Sequence, residues 1–161
     1  MFIKFVRQAN SQYLIIMNLY TLSFIFLFFG ISPVSNPAKR KLPALRQGKH
    51  KLTLHWIGWK NPGQADVIKK SEKLYTIRGE QVSKTNKDFL KIQGTLEITS
   101  AGELVFSGAI SSLANGLNGN KPCEKFGTYH FRPFPKANCW RLQEMTSCEG
   151  NGKVDYIDIY Y

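Results

Sequence analysis

Leu90, Ile92, Leu96 and Ile98 alternate with Lys91, Gln93, Thr95 and Glu97, and Leu104, Phe106 and Ile110 alternate likewise after Ser100-Ala101-Gly102. A period of two is the pattern of a half-buried strand. A three-residue loop ending in glycine is a common hairpin connection, because glycine takes the left-handed conformation without a Cβ clash. Pairing Thr99 with Glu103 sets Ile98 opposite Leu104, Leu96 opposite Phe106, Gly94 opposite Gly108 and Ile92 opposite Ile110, with the apolar residues on one face. A slip of one residue would turn that whole face to water. Turn chemistry and hydrophobic pattern therefore select one register, and the chain is committed to antiparallel sheet.

The neighbouring segments extend it. Leu74 to Val82 returns through 83–88, which sets Glu80 opposite Lys91, Thr76 opposite Thr95 and Tyr75 against Leu96. Such cross-strand pairs contribute roughly 0.2–1 kcal/mol each. Upstream, Lys51 to Lys60 and Ala65 to Lys69 read as strands around Asn61-Pro62-Gly63-Gln64, where Pro then Gly suits a type II turn. The pattern there leaves open which of Trp56 and Trp59 faces inward. Downstream, Lys125 to Arg132 and Asn138 to Met145 flank a turn at 133–137. Setting Phe131 opposite Trp140 and Tyr129 opposite Leu142 gathers the bulky side chains, and sends His130, Arg132, Arg141 and Gln143 to the other face. A last strand, Lys153 to Tyr161, adds with Ile159 beside Trp140, Ile157 beside Leu142 and Asp158 beside Arg141.

About eight consecutive antiparallel strands result, with no helical pattern among them. A meander with one apolar face closes into a barrel or folds into two packed sheets. The expected fold is all-β, a small up-and-down barrel of lipocalin-like architecture in preference to a β-sandwich.

Ahead of this region, Tyr13 to Ile31 is an apolar block preceded by Lys4 and Arg7 and followed by small residues around Ser35 and Ala38. That order reads as a signal peptide over residues 1–38, with mature protein starting between Asn36 and Lys41. Met17 is an alternative start. The rival reading is an uncleaved membrane anchor, since the block is just long enough to span a bilayer of ~20 residues. The cations Lys39, Arg40, Lys41, Arg46, Lys49 and Lys51 beyond the block complicate both readings under the positive-inside rule.

The chain carries 22 basic and 11 acidic residues, a net charge of +11. Six of those cations fall in a basic arm over residues 39–51, which contains no acid. From Leu52 onward 14 basic residues face 11 acidic ones, so the β domain over residues 52–161 is nearly balanced. An arm of this kind could lie on an anionic envelope surface, and its few aromatics and lack of a repeat favour a solvated linker with no partner. No specific nucleic-acid partner is expected, membrane contact is expected only through the N-terminal segment, and a monomer is the expected state.

Three cysteines allow three single pairings. With Phe131 opposite Trp140, Cys123 and Cys148 fall opposite one another where the hairpin opens, while Cys139 lies by the far turn. Nine extended residues from Cys139 to Cys148 span ~30 Å, and bridged Cα atoms lie within ~7 Å. A Cys123–Cys148 disulfide with Cys139 free is the expected arrangement, and it suits an oxidising compartment.

Gly79-Glu80-Gln81, Trp140-Arg141-Leu142-Gln143 and Asp155-Tyr156-Ile157-Asp158 resemble segments of small exported bacterial β-rich proteins of unassigned function, over roughly Gly48 to Tyr161. The resemblance implies export and a single domain. It implies no site.

Catalytic chemistry has little to build on. His50, His55 and His130 share no metal-ligand spacing, so no metal and no cofactor are expected. His130, Arg141 and Asp158 line up across three strands, as a polar ladder or as a general acid–base group lacking a nucleophile. Ser111 and Ser112 lack a nucleophile elbow. Trp56, Trp59 and Trp140 could stack sugars or bases, or fill the core. The facing glycines Gly94 and Gly108 mark a sheet corner, or a close approach to the backbone by a ligand or a large side chain, with Trp59 flanking an opening. The expected function is non-catalytic binding of a small ligand or an anionic surface. The alternative is an inhibitor or protein-interaction module using loops such as 114–124, and a hydrolase ranks last. A deep cavity would favour the first reading, and a solid core with protruding loops the second.

Overall fold

The structure, a computed structural model, describes residues 43–161. The expected signal peptide, its expected cleavage point and the start of the expected basic arm lie outside these residues. Eight strands follow in order: β1 (Gly48–Leu54), β2 (Gly63–Lys69), β3 (Leu74–Val82), β4 (Phe89–Ile98), β5 (Leu104–Leu113), β6 (Cys123–Phe134), β7 (Cys139–Leu142) and β8 (Ile157–Tyr160). Each pairs antiparallel with the next, and β8 pairs with β1, so the sheet closes as an up-and-down barrel. Closure decides against the sandwich and leaves no free sheet edge.

The β3–β4–β5 wall has the register its turn chemistry selects. Glu80 faces Lys91, Thr76 faces Thr95, Gly94 faces Gly108 and Ile98 faces Leu104. Gly102 takes φ 76° and donates to the Thr99 carbonyl at 3.0 Å, while the Thr99 amide donates to Glu103 at 2.9 Å.

The interior is filled by the chain's own side chains. Leu52, Leu96, Phe106, Phe131, Trp140 and Leu142 are fully buried in one cluster. Phe106 meets Phe131 edge-on with centroids 6.3 Å apart, and Trp140 Nε1 donates to the Gly102 carbonyl at 2.9 Å. The facing glycines serve this packing. A Cβ on Gly94 would lie 2.3 Å from the Ser107 carbonyl oxygen and 2.7 Å from the Phe106 ring, and one on Gly108 would lie 2.8 Å from the same ring. The sheet coils sharply here, and the large group approaching the backbone is the protein's own Phe106.

Three sequence readings are corrected. First, β1 starts at Gly48 and ends at Leu54, so Lys49 and Lys51 of the expected arm belong to the barrel, and Lys49 pairs with Asp66 at 3.2 Å. Residues 55–62 form a loop that carries both Trp56 and Trp59. Second, Gly63 lacks the positive φ a type II turn requires and instead opens β2, paired with Leu52.

Third, the β6–β7 register is shifted by two residues, with Phe131 opposite Leu142 and Pro133 opposite Trp140. The two prolines read as the end of a strand, yet β6 runs through Pro133 and turns only at 135–138. Gln143 donates to the His130 carbonyl, so even-numbered β6 residues exchange bonds with β7. The N–H that Pro133 lacks therefore falls on the β5 side, where pairing ends at Leu104–Phe131. A shift of two keeps every side chain on its face, which is why Phe131, Trp140 and Leu142 still meet in the core.

Candidate functional site

The strand directions put loops 55–62, 83–88, 114–122 and 143–156 at one end of the barrel, called here the upper end. The lower end holds three short turns and the N-terminal segment 43–47. Polar side chains tie the upper loops to one another. Gln81, on an inward position of β3, is 1% exposed. Its Oε1 accepts the Leu54 amide at 2.6 Å, and its Nε2 donates to the carbonyls of Gly58 at 2.9 Å and Asn61 at 2.8 Å. One buried amide thus holds the whole of loop 55–62. Asp88 accepts the Asn115 amide at 2.8 Å, and Glu149 accepts the Asn118 amide. The Cys123–Cys148 disulfide, with Cα atoms 5.7 Å apart, anchors loop 143–156 to the top of β6. Asp155, buried, accepts from Lys125 Nζ at 2.8 Å and from Trp56 Nε1 at 3.1 Å.

Trp56 and Trp59 are therefore displayed, 38% and 46% exposed, on a loop with a fixed backbone. Behind them, the His55 ring stacks at 4.1 Å on Trp56 and meets Tyr156 edge-on at 5.0 Å. His55 Nδ1 accepts the Tyr156 amide at 3.0 Å. Burial lowers the pKa of His55 from its ordinary 6.5, with the Arg141 charge in the same direction and Asp155 opposing. A proton on Nδ1 would also break the Tyr156 bond.

Against this loop, on the outer face of β7 and β8, Arg141 grips Asp158 through both Nε, at 2.8 Å, and Nη2, at 2.7 Å. The guanidinium lies over Phe134 at 4.3 Å, Tyr156 at 4.9 Å and Trp59 at 5.8 Å. Under this lid Asp158 is completely buried although it points outward from the barrel. The hydrogen bond to Asp158 holds the Arg141 pKa above its ordinary value against the cost of burial. Beside it, burial and the Asp158 charge push the Cys139 thiol up to about 12, so it stays protonated at neutral pH. Thr53, opposite Asp158, buries its hydroxyl without a hydrogen-bond partner among the described residues. The charged groups of this cluster, Arg141 and Asp158, are engaged with each other, and the surface beside them is largely aromatic.

The residues singled out in the sequence divide accordingly. Cys123 and Cys148 are joined and Cys139 is free and buried, although the β6–β7 register used to match them is not the one formed. Arg141 and Asp158 meet. His130 does not join them: the shifted register puts Arg132 opposite Arg141, and His130 pairs instead with Glu144, ring to carboxylate at 2.6 Å and amide to carboxylate at 2.8 Å. Against the cost of burial, those bonds hold the Glu144 pKa below its ordinary value. Trp59 lies against Arg141 outside the barrel, whereas Gly94 and Gly108 underlie Phe106 inside it, so no opening joins Trp59 to the glycines. The Ser111 hydroxyl donates to Glu124 at 2.5 Å.

His55, Tyr156 and Gln81 appear in the sequence reading without a role at the site. Gln81 carried a signal: it continues the inward series Tyr75, Ile77, Gly79, where a polar side chain needs partners. The three segments on which the resemblance rests converge here. Gln81 holds loop 55–62, Asp155 and Tyr156 hold Trp56 and His55, and Arg141 with Asp158 stacks on Trp59.

An open recess of about 700 Å³ lies on the outer wall, lined in part by Asp66, Arg78, Glu80 and Lys91. Its two carboxylates and two cations stand opposite one another in the strand register, Asp66 opposite Arg78 and Glu80 opposite Lys91, and the ion pair that Asp66 forms is with Lys49. Among the described residues no three His, Cys, Asp or Glu side chains converge as a metal site.

A curated relative, an uncharacterised protein designated PM1083 from Pasteurella multocida (strain Pm70), is 36% identical over 115 residues, covering 71% of this chain and 72% of that protein. No solved structure matches. The model of the PM1083 family matches residues 36–161, and the chain belongs to that family.

Proposed function

We propose that this chain is an exported, non-catalytic interaction module that binds a partner protein with the upper end of its barrel. One observation carries the reading: the barrel interior is packed, while Trp56 and Trp59 stand exposed on a loop whose ends and middle are hydrogen-bonded. A packed interior moves recognition to the outer surface. Tryptophan is enriched among the residues that dominate binding energy at interfaces, and a loop already held in place loses little entropy on docking. Export is supported by the disulfide, which forms and persists in oxidising compartments, and by the apolar block before the domain.

The anionic-surface reading is weaker, because Lys49 of the arm is a β1 residue engaged with Asp66. The test compares envelope extracts of the host containing wild-type chain or the Trp56→Ala/Trp59→Ala double variant. Size-exclusion chromatography should find the wild type in an assembly larger than the monomer and the variant, with an unchanged barrel by circular dichroism, at monomer size. Identical elution of the two would overturn the reading, and so would recovery of the chain from the cytoplasm with its cysteines reduced.

A further inference from the structure

The geometry points to His50 as a proton-operated clasp that closes the lower end of the barrel. His50 lies on the inward face of β1 and is 6% exposed. Its Nδ1 lies 2.7 Å from the carbonyl oxygen of Tyr160 on β8, and its Nε2 lies 2.8 Å from the carbonyl oxygen of Arg46 in the N-terminal segment. Both partners are acceptors only. A neutral imidazole donates from one nitrogen and accepts at the other, so either tautomer leaves a ring lone pair against a carbonyl oxygen. Only the imidazolium satisfies both contacts.

The bond to Arg46 holds down the segment that carries Leu45, which is 6% exposed and packs on the barrel core. The clasp thus fixes where the N-terminal segment leaves the barrel. Of the charged and titratable groups nearby, Arg46 lies in that segment and Tyr160 and Tyr161 at the end of β8, whereas Lys49 and Lys51 alternate to the outer face of β1, where Lys49 engages Asp66 of β2 at 3.2 Å. Ala65, directly opposite His50 on β2, carries no charge. The cations outnumber the one carboxylate and so work in the direction of release. In acid the ring holds both carbonyls. As it loses its proton, one of the two bonds goes and the hold on segment 43–47 weakens, while the barrel stays closed by strand pairing.

Two measurements on the chain recovered from its host test this. Long-range ¹H–¹⁵N correlation of the His50 ring should show both nitrogens protonated at pH 6. Trypsin cleavage after Arg46 should be about tenfold faster in His50→Phe than in the wild type at pH 6, the loss of a charge-assisted bond. That ratio should fall toward one at pH 9, and trypsin's own pH dependence cancels in it. A ratio equal at both pH values would overturn the proposal, as would a ring with one protonated nitrogen at pH 6. The ring measurement needs no variant and stands even if His50→Phe fails to fold.

Discussion

The two ends of the barrel are closed by opposite means. At the upper end four loops are tied by Gln81, Asp88, Glu149, the Lys125–Asp155–Trp56 cluster and a disulfide. At the lower end the turns are short, Trp140 holds one of them through the Gly102 carbonyl, and the N-terminal segment is held by Leu45 and the ring of His50. Each end also has a histidine with the opposite requirement. His55 above accepts a backbone amide and sits beside Arg141, so it is held neutral, whereas His50 below contacts two carbonyls and needs its proton. The proposed binding surface is built on loops, and many independent polar ties give those loops their rigidity. The departing N-terminal segment is held by one plug and one ring.

Substitutions can break this contrast in order of size. Gln81→Ala strips partners from one buried amide and two carbonyls, each worth ~1–3 kcal/mol, less whatever entering water restores. We expect a loss of about 3–4 kcal/mol in urea unfolding, and faster amide exchange at Leu54 and Gly58. Cys148→Ser removes a bridge between residues 25 apart in sequence, worth roughly 3 kcal/mol. It should loosen loop 143–156 while leaving cleavage after Arg46 unchanged. Leu45→Ala empties a site at the rim of the lower end, at a cost of about 2 kcal/mol, near the small end for buried leucines. It should raise cleavage after Arg46 and leave Trp56 and Trp59 emission unaltered.

The smallest effect is on pH dependence. The folded-state pKa of His55 is depressed below 6.5, so its contribution to stability is present above that value and lost as pH falls through the lower one. The hold of His50 runs the other way, complete in acid and weakened in alkali. Amide protection, corrected for intrinsic exchange, should fall at the upper end toward pH 5 and at segment 43–47 toward pH 9. Parallel trends at the two ends would erase the distinction.

The sequence reveals these regions unequally. From Leu74 to Leu113 the alternation and the Ser-Ala-Gly turn admit one register, and that register is the one formed. Between Cys123 and Leu142, side-chain parity survives a shift of two residues, so the hydrophobic pattern alone could not separate the registers. The decision lay in Pro133, which is tolerated because its missing donor falls beyond the end of β5. The disulfide was legible even so, because either register leaves Cys123 and Cys148 at the upper end and Cys139 at the lower. Loop 143–156 has no period to read, which hid the meeting of Asp155 with Trp56 and of Tyr156 with His55. Loop 55–62 was hidden differently: its tryptophans read as strand residues, and only Gln81, a polar side chain at an inward position, gave the loop away.

The most direct test of an outward-facing upper end is site-specific photo-crosslinking in the living host. A benzophenone amino acid at position 59 is compared with one at Phe126, a residue 74% exposed on the outer wall. The account predicts a discrete protein adduct from position 59, lost when Trp56 is also replaced by alanine, with none from position 126. Adducts from position 126 alone, or the same adducts from both positions, would contradict it.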